Sequence, residues 1–87
     1  MTGPMTAKVY VTLKKTVLDP QGKTIQQALQ GLGYAAVAGV RQGKYFEIAL
    51  ADGLAQDEAR TLIERLARDV LTNPVIEEFS FEIDPRT

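Results

Sequence analysis

Residues 7–33 read AKVYVTLKKTVLDPQGKTIQQALQGLG, and within this stretch the spacing of the apolar residues changes. Up to Lys15, apolar and polar residues alternate, and this period of two predicts a half-buried β-strand. From Pro20 onward the spacing is that of one face of a helix. The apolar residues of that face are Ile25, Ala28, Leu29 and Leu32. Because Gly33 is a typical residue just beyond a helix, the sequence predicts a strand followed by a helix from about Pro20 to Leu32.

In the rest of the chain, the spacing of the apolar residues again changes between the alternation of a strand and the spacing of a helix. Residues 36–50 alternate again on either side of Gln42-Gly43, which predicts two strands joined by a hairpin with its tip at that dipeptide. Residues 56–71 predict a second helix, and residues 75–83 predict a last strand. The apolar stripe of the second helix consists of Ala59, Leu62, Ile63, Leu66 and Val70. The order β-α-β-β-α-β predicts a ferredoxin-like α+β sandwich, with two helices on one face of an antiparallel sheet.

Length and composition limit the classes of function. The 87 residues predict a single domain over residues 7–84, with a flexible tail at 1–6 and a second tail at 85–87. The chain has no cysteine and no histidine, so it lacks a thiol nucleophile, the commonest general base and the commonest metal ligand. A core of this size is marginal alone, and oligomerisation is a common remedy.

Charge and hydropathy indicate the compartment and exclude two kinds of partner. The formal net charge is -1 and the pI is about 5.3, without the basic stripe that nucleic-acid binding requires. No apolar run approaches the ~20 residues of a membrane span, and the first residues lack the pattern of a signal peptide. We therefore expect a cytoplasmic protein that binds neither nucleic acid nor membrane.

The tripeptide Gly22-Lys23-Thr24 resembles the end of a phosphate-binding P-loop. That loop needs a glycine five positions before Gly22, where this chain has Val17, and Asp19 would place a carboxylate against the phosphate. A helix start explains the same residues, since Asp19 suits the N-cap and Pro20 the first helical position. Gly22 then indicates a close approach by another backbone, within this chain or from a partner. Lys23 is either a solvated charge or a contact residue.

The remaining candidate residues are typical of an interaction module. Arg41 and Lys44 flank the predicted hairpin tip at Gln42-Gly43, where cations are solvated or contact an anion or a partner. Tyr10 and Tyr45 are predicted on the sheet face away from the helices, which would be available for docking. We predict no catalytic, cofactor-binding or metal-binding residue.

Four segments of the chain are similar to a known family. They are VYVTLKKTVLDPQGKTI at 9–25, LGY at 32–34, VRQGKYFEI at 40–48 and NPVIEEFSFEI at 73–83. The chain resembles the PurS family, the small subunits of phosphoribosylformylglycinamidine synthase. By this resemblance, Asp19, Pro20, Gly22 and Lys23 belong to the first signature, Arg41, Gly43 and Lys44 to the predicted hairpin, and Asn73 and Pro74 to the third motif. The hypothesis that these residues make contacts comes from their position and expected exposure.

The resemblance implies a non-catalytic subunit that acts in the fourth step of de novo purine biosynthesis. A PurQ-like glutaminase subunit releases ammonia, and a PurL-like synthetase subunit uses ATP and Mg²⁺ to transfer it to the substrate. The PurS-like subunit forms a homodimer, or a tetramer, bridges the other two and supports ammonia transfer. It needs no cofactor of its own.

Two other interpretations fit the same predicted fold. An ACT-like dimeric regulatory module would bind an amino acid at a glycine-rich turn after the first strand, where this chain has KTVLDPQG. An acylphosphatase-like enzyme would need an anion-binding loop with an arginine after the first strand, and this loop has none. The residues therefore favour the subunit interpretation, with the regulatory module as the alternative.

Overall fold

The computed structural model describes residues 5–84, and its fold contains a three-stranded antiparallel sheet. Its central strand pairs on both sides, so that the strand order is β2-β1-β3. The elements are β1 (Thr6–Leu13), α1 (Pro20–Gly31), β2 (Gly43–Ala49), α2 (Gln56–Leu66), a π-helical turn (Ala67–Leu71) and β3 (Glu77–Asp84). The predicted α+β class with an antiparallel sheet is confirmed.

The core lies between one face of the sheet and α2. The alternation predicted for β1 is confirmed, because Ala7, Val9 and Val11 are buried while the residues between them face outward. They belong to one apolar cluster with Ala59 and Ile63 of α2 and with Ala67 of the π-helical turn. Full burial of an aliphatic side chain such as Val9 contributes about 1.5–3 kcal/mol.

The apolar stripe of the second helix differs from the prediction at Leu62, which is 42% exposed, and again after Leu66. There the helix changes to the π-helical turn, which accommodates an extra residue and rotates the positions that follow. Val70, predicted on the buried stripe, is therefore 76% exposed. Ala67 and Leu71 pack against the core in its place.

The predicted fourth strand is absent from the described residues. Residues 37–42 form no strand, and Gly43 begins β2 directly, so the hairpin predicted with its tip at Gln42-Gly43 is wrong. The alternation of residues 36–41 is compatible with a strand, but a strand also needs a neighbour with free backbone groups. Within residues 5–84, β2 pairs with β1 alone.

The packing of α1 also differs from the prediction of two helices on one sheet face. Within α1 only Gly22 is buried, so the helix does not cover the sheet as α2 does. The molecule measures 51 × 29 × 14 Å and has a radius of gyration of 16.8 Å. A compact domain of this length has a radius of about 12 Å. We call α1 together with the segment that follows it to Gln42 the arm, because this part accounts for the elongated shape.

The domain boundaries can be compared with the structure at one end. Met5 is buried and Thr6 begins β1, although the sequence placed the start of the domain at Ala7. Residues 1–4 and 85–87, the greater part of the two predicted tails, lie outside the described residues.

Candidate functional site

Asp19 links the start of α1 to Gln42, the last residue of the arm, and we call this junction the base of the arm. One carboxylate oxygen accepts a hydrogen bond from the Gly22 amide at 2.9 Å, and the other accepts one from the Gln42 amide at 2.8 Å. The first is the N-cap bond predicted from the sequence. The amides of Gln42 and Gly22 lower the pKa of Asp19, because both bonds favour the ionised carboxylate. An ionised Asp19 therefore fixes the start of α1 against the residue that precedes β2.

Gly22 lies at the closest approach within this base. A Cβ atom added there would overlap the carbonyl oxygen of Val40 and crowd the Asp19 carboxylate. The close backbone approach predicted from the sequence is confirmed, and the approaching backbone belongs to the same chain. Pro20 occupies the first turn of α1 as predicted, and Lys23 is exposed on the same helix.

The residues predicted around a hairpin tip lie instead where the arm joins the sheet. The Arg41 guanidinium donates to the carbonyls of Leu13 and Lys14 at 2.9 and 3.0 Å, at the end of β1. Gly43 allows β2 to lie against β1, since a Cβ atom there would overlap the Val11 carbonyl. The Lys44 ammonium lies 3.7 Å from the Glu77 carboxylate of β3. These contacts give Arg41 and Gly43 a structural role at the junction.

Two glutamines that the sequence analysis did not select hold the arm together. Gln26 donates from its side-chain amide to the Ala38 carbonyl at 3.2 Å, and Gln30 donates to the Val37 carbonyl at 2.9 Å. Their spacing of i and i+4 places both on one side of α1. We call residues 34–42 the return segment, and these bonds attach it to the flank of the helix. The repeated glutamines of QQALQ were the sequence feature from which these bonds could have been predicted.

The apolar stripe of α1 is largely exposed, and within it only Leu29 is half-buried. Leu32 is 75% exposed, Tyr34 just beyond the helix is 59% exposed, and Ile25 at the start of the stripe is also exposed. Continuous apolar surface of this kind on a small protein marks an interaction site. We refer to the stripe formed by Ile25, Ala28, Leu29 and Leu32 as the apolar face of the arm.

The outer face of the sheet, opposite the core, carries the two predicted tyrosines. The rings of Tyr10 and Tyr45 stack with their centroids 5.2 Å apart. The Tyr10 hydroxyl donates to Glu82 and the Tyr45 hydroxyl to Glu47, each at 2.8 Å. These bonds raise the pKa of both tyrosines, because each bond holds the phenol proton next to a carboxylate. The outer face of the sheet is therefore polar, and its tyrosine hydroxyls are hydrogen-bonded to carboxylates of the same chain.

Asn73 and Pro74 form the turn that leads into β3. The Asn73 side-chain oxygen accepts from the Val75 amide at 3.1 Å, and the Asn73 amide donates to the Glu77 carboxylate at 2.8 Å. The Glu77 amide returns a bond to the Asn73 carbonyl at 2.7 Å. The turn is thus built by its own hydrogen bonds, and the role of these two residues as partner contacts stays a prediction.

The predicted site residues therefore fall into three places. The structure brings together the base of the arm, Asp19, Pro20 and Gly22, with Arg41, Gly43 and Lys44. It places the tyrosine pair on the outer sheet face and Asn73-Pro74 in the turn before β3. Among residues 5–84, no three His, Cys, Asp or Glu side chains are grouped as metal ligands. In the same part of the chain, no helix has the length and hydropathy needed to cross a membrane.

Comparison with known proteins assigns this architecture to a family. Residues 6–85 match the sequence model of PurS, described as phosphoribosylformylglycinamidine (FGAM) synthase. The chain belongs to the PurS family. It is 45% identical over 78 residues to the PurS subunit of FGAM synthase from Synechocystis, a match that covers 87% of this chain and 75% of the relative.

Solved PurS structures have a similar fold. The Methanocaldococcus jannaschii PurS structure superposes with a TM-score of 0.81 at 32% identity, covering 92% of this chain and 95% of that chain. A chain of the PurLQS structure from Thermotoga maritima gives a TM-score of 0.81 at 25% identity, covering 92% of this chain and 98% of its own.

Proposed function

We propose that this chain is the non-catalytic small subunit of an FGAM synthase complex, acting in the fourth step of de novo purine biosynthesis. The observation that carries the proposal is the match to the PurS family over residues 6–85. The similarity to a chain from a PurLQS structure supports an assembled role. In this role the chain bridges a PurQ-like glutaminase and a PurL-like synthetase and supports ammonia transfer between them, in the cytoplasm where the pathway operates.

The base of the arm supports a role without a bound nucleotide. A phosphate or an amino-acid carboxylate at the start of α1 would need free backbone amides there. The Gly22 and Gln42 amides instead bond to Asp19, whose negative charge would repel an anion. The same observation weighs against the ACT-like alternative. ATP, Mg²⁺ and glutamine are therefore assigned to the partner subunits.

We further propose that a second copy of the chain covers the apolar face of the arm, giving a homodimer. The arm is suited to self-association because α1 carries a single ionisable side chain, that of Lys23. Two copies of the helix can therefore approach with little charge repulsion. Burial of Leu32 and its neighbours would also add apolar contacts to a core that is small for a chain of this length.

Reconstitution of the complex tests the subunit role. The purified glutaminase and synthetase of the same organism are assayed for glutamine-dependent FGAM formation with and without this chain, at fixed ATP and Mg²⁺. We expect glutamine-dependent synthesis to require the chain, whereas synthesis from added ammonia by the synthetase does not. Full glutamine-dependent activity in the absence of the chain would contradict the proposal. Co-purification of both subunits with the tagged chain provides the matching physical measurement.

A further inference from the structure

The positive charge of the chain is concentrated around the base of the arm. Residues 14–44 contain five of the ten lysine and arginine residues, but only one of the eleven acidic residues, Asp19. The chain as a whole is nearly neutral, with a formal net charge of -1, so the remaining residues are correspondingly acidic. A charge asymmetry of this kind produces a local positive potential, which attracts anionic groups of a partner.

The fold groups cations that are dispersed in the sequence. The Arg41 guanidinium bonds to two carbonyls at the end of β1, which places it beside the loop that carries Lys14 and Lys15. Arg41 also lines, together with Lys23, a groove of about 470 Å³ between α1 and the return segment. We call Lys14, Lys15, Lys23 and Arg41 the basic patch. Lys14 is half-buried and the other three residues are exposed.

The carboxylates near the patch are already engaged within the chain. Asp19 is buried, and its two oxygens accept from the Gln42 and Gly22 amides, which together with the Arg41 charge lower its pKa. Glu77 lies beside Lys44 at 3.7 Å. Within residues 5–84, the lysines of the basic patch form no ion pair. Anions that pair with these lysines must therefore come from another molecule.

We propose that the basic patch and its groove dock an acidic segment of one of the larger subunits, which also inserts an apolar side chain. Leu18 is 75% exposed and lines the groove with Val40, so the groove offers apolar contact beside the charges. A phosphate group fits less well, because the Gly22 amide at the start of α1 bonds to Asp19. Carboxylates of an extended segment need only the cationic side chains. The inference rests on the proposed subunit role and specifies one of its contacts.

A second copy on the apolar face of the arm would leave this docking site open. Lys23 precedes Ile25 by two positions, which places it on the opposite side of α1 from the apolar face. The groove lies on the flank where the return segment is attached, and Gln26 is part of both. The chain can therefore bind a second copy and an acidic partner at the same time, as a bridging subunit requires.

Zero-length cross-linking tests both the contact and its chemistry, because a carbodiimide joins a lysine amine directly to a carboxylate. The chain is assembled with the purified glutaminase and synthetase of the same organism in the presence of ATP, Mg²⁺ and glutamine, then cross-linked and digested for mass spectrometry. We expect links from Lys15 or Lys23 to aspartate or glutamate residues of a larger subunit. Intersubunit links that involve neither lysine, for example only Lys8 on the outer sheet face, would overturn the inference and leave the subunit role intact. A chain that binds neither subunit would remove both.

Neutralising variants give a second measurement with a matched control. The patch variant combines Lys15→Gln with Lys23→Gln, and the control combines Arg65→Gln with Arg68→Gln on the exposed side of the second helical region. Both lose the same charge. We expect the dissociation constant for the larger subunits to rise about fivefold or more in the patch variant and to stay within about twofold in the control. The patch variant should also show a weaker dependence of binding on salt.

Equal dissociation constants for the two variants would contradict docking at the basic patch. Titration of the chain with inorganic phosphate separates a small anion from a protein segment. We expect no saturable NMR shift at Lys23 or Arg41 with phosphate at submillimolar concentration. Saturable binding there would assign the patch to a small anion and would overturn the inference, while the requirement for the chain in glutamine-dependent synthesis would still be tested separately.

Discussion

Gly22 occupies a position where the usual effect of alanine on a helix is reversed. In a helix interior, alanine is more favourable than glycine by about 1 kcal/mol. At this position the added methyl group would overlap the Val40 carbonyl oxygen and press on Asp19. We expect Gly22→Ala to lower the free energy of unfolding by about 1–3 kcal/mol, the range for overpacking a tight contact. Urea denaturation at a fixed chain concentration measures the change.

Gly31 provides the matched control on the same helix. A Cβ atom there would meet no atom within 4 Å. Gly31→Ala should therefore leave the stability unchanged or raise it by about 0.4–1 kcal/mol, through the lower entropy of the unfolded chain. Equal stability of the two alanine variants would show that the Val40 carbonyl moves aside at no cost, and that the base of the arm is not rigid.

The structure of this base shows how far sequence reasoning extends for single residues. The Asp19 cap and the close approach at Gly22 were predictable because both depend on rules that act within one helical turn. The partners across the base were not predictable. Gln42 and Val40 lie 23 and 18 residues from Asp19 and Gly22, and no local pattern specifies that distance. The side-chain bonds of Gln26 and Gln30 to the return segment were missed for the same reason.

At the level of elements, a charge on the exposed face of α1 should disrupt the proposed homodimer. Leu32→Lys places an ammonium group on that face, where burial of leucine contributes about 1.5–3 kcal/mol. Since each 1.4 kcal/mol is a factor of ten in affinity, we expect the dimer dissociation constant to rise about tenfold or more. Sedimentation equilibrium measures the constant, and circular dichroism checks that the helix content is retained.

Gln27→Lys is the control for the charge itself. Gln27 is exposed and follows Ile25 by two positions, which places it on the opposite side of α1 from the apolar face. The Gln27→Lys substitution adds the same charge to the same helix, so the dimer dissociation constant of this variant should remain within about twofold of that of the unmodified chain. If both variants weakened the dimer equally, net charge rather than the apolar face would be responsible.

The elements differ in how well their sequences predicted them. The strand β1 and both helices were predictable because their apolar period is a property of the segment itself. The strand expected at residues 36–41 was not formed, since pairing depends on a neighbouring edge that the period does not specify. The π-helical turn after Leu66 was also missed, and it moved Val70 to the surface. A single inserted position in a helix leaves no clear signal in composition.

For the whole molecule, the sequence predicted a marginal core and an oligomer but not the elongated shape. The sequence of the apolar stripe on α1 is compatible with packing against the chain's own sheet and with packing against the sheet of another chain, and it does not distinguish the two. Within α1 only Gly22 is buried, so the stripe does not pack on its own sheet. The radius of gyration is accordingly 16.8 Å, against about 12 Å for a compact domain. If the chain forms the proposed homodimer, the stability of the fold should depend on the second copy.

This dependence is measurable as an effect of concentration on unfolding. For a dimer that unfolds to two chains, a tenfold rise in chain concentration adds about 1.4 kcal/mol to the apparent free energy of unfolding. With a urea m-value of about 1–3 kcal/mol/M, the midpoint should rise by roughly 0.5–1.4 M for each tenfold step. The Leu32→Lys variant should show a smaller rise, because less of it is dimeric at the same concentration. A midpoint that stayed constant over a hundredfold range would mean that the extended monomer is stable alone, and would contradict a dependence on a second copy.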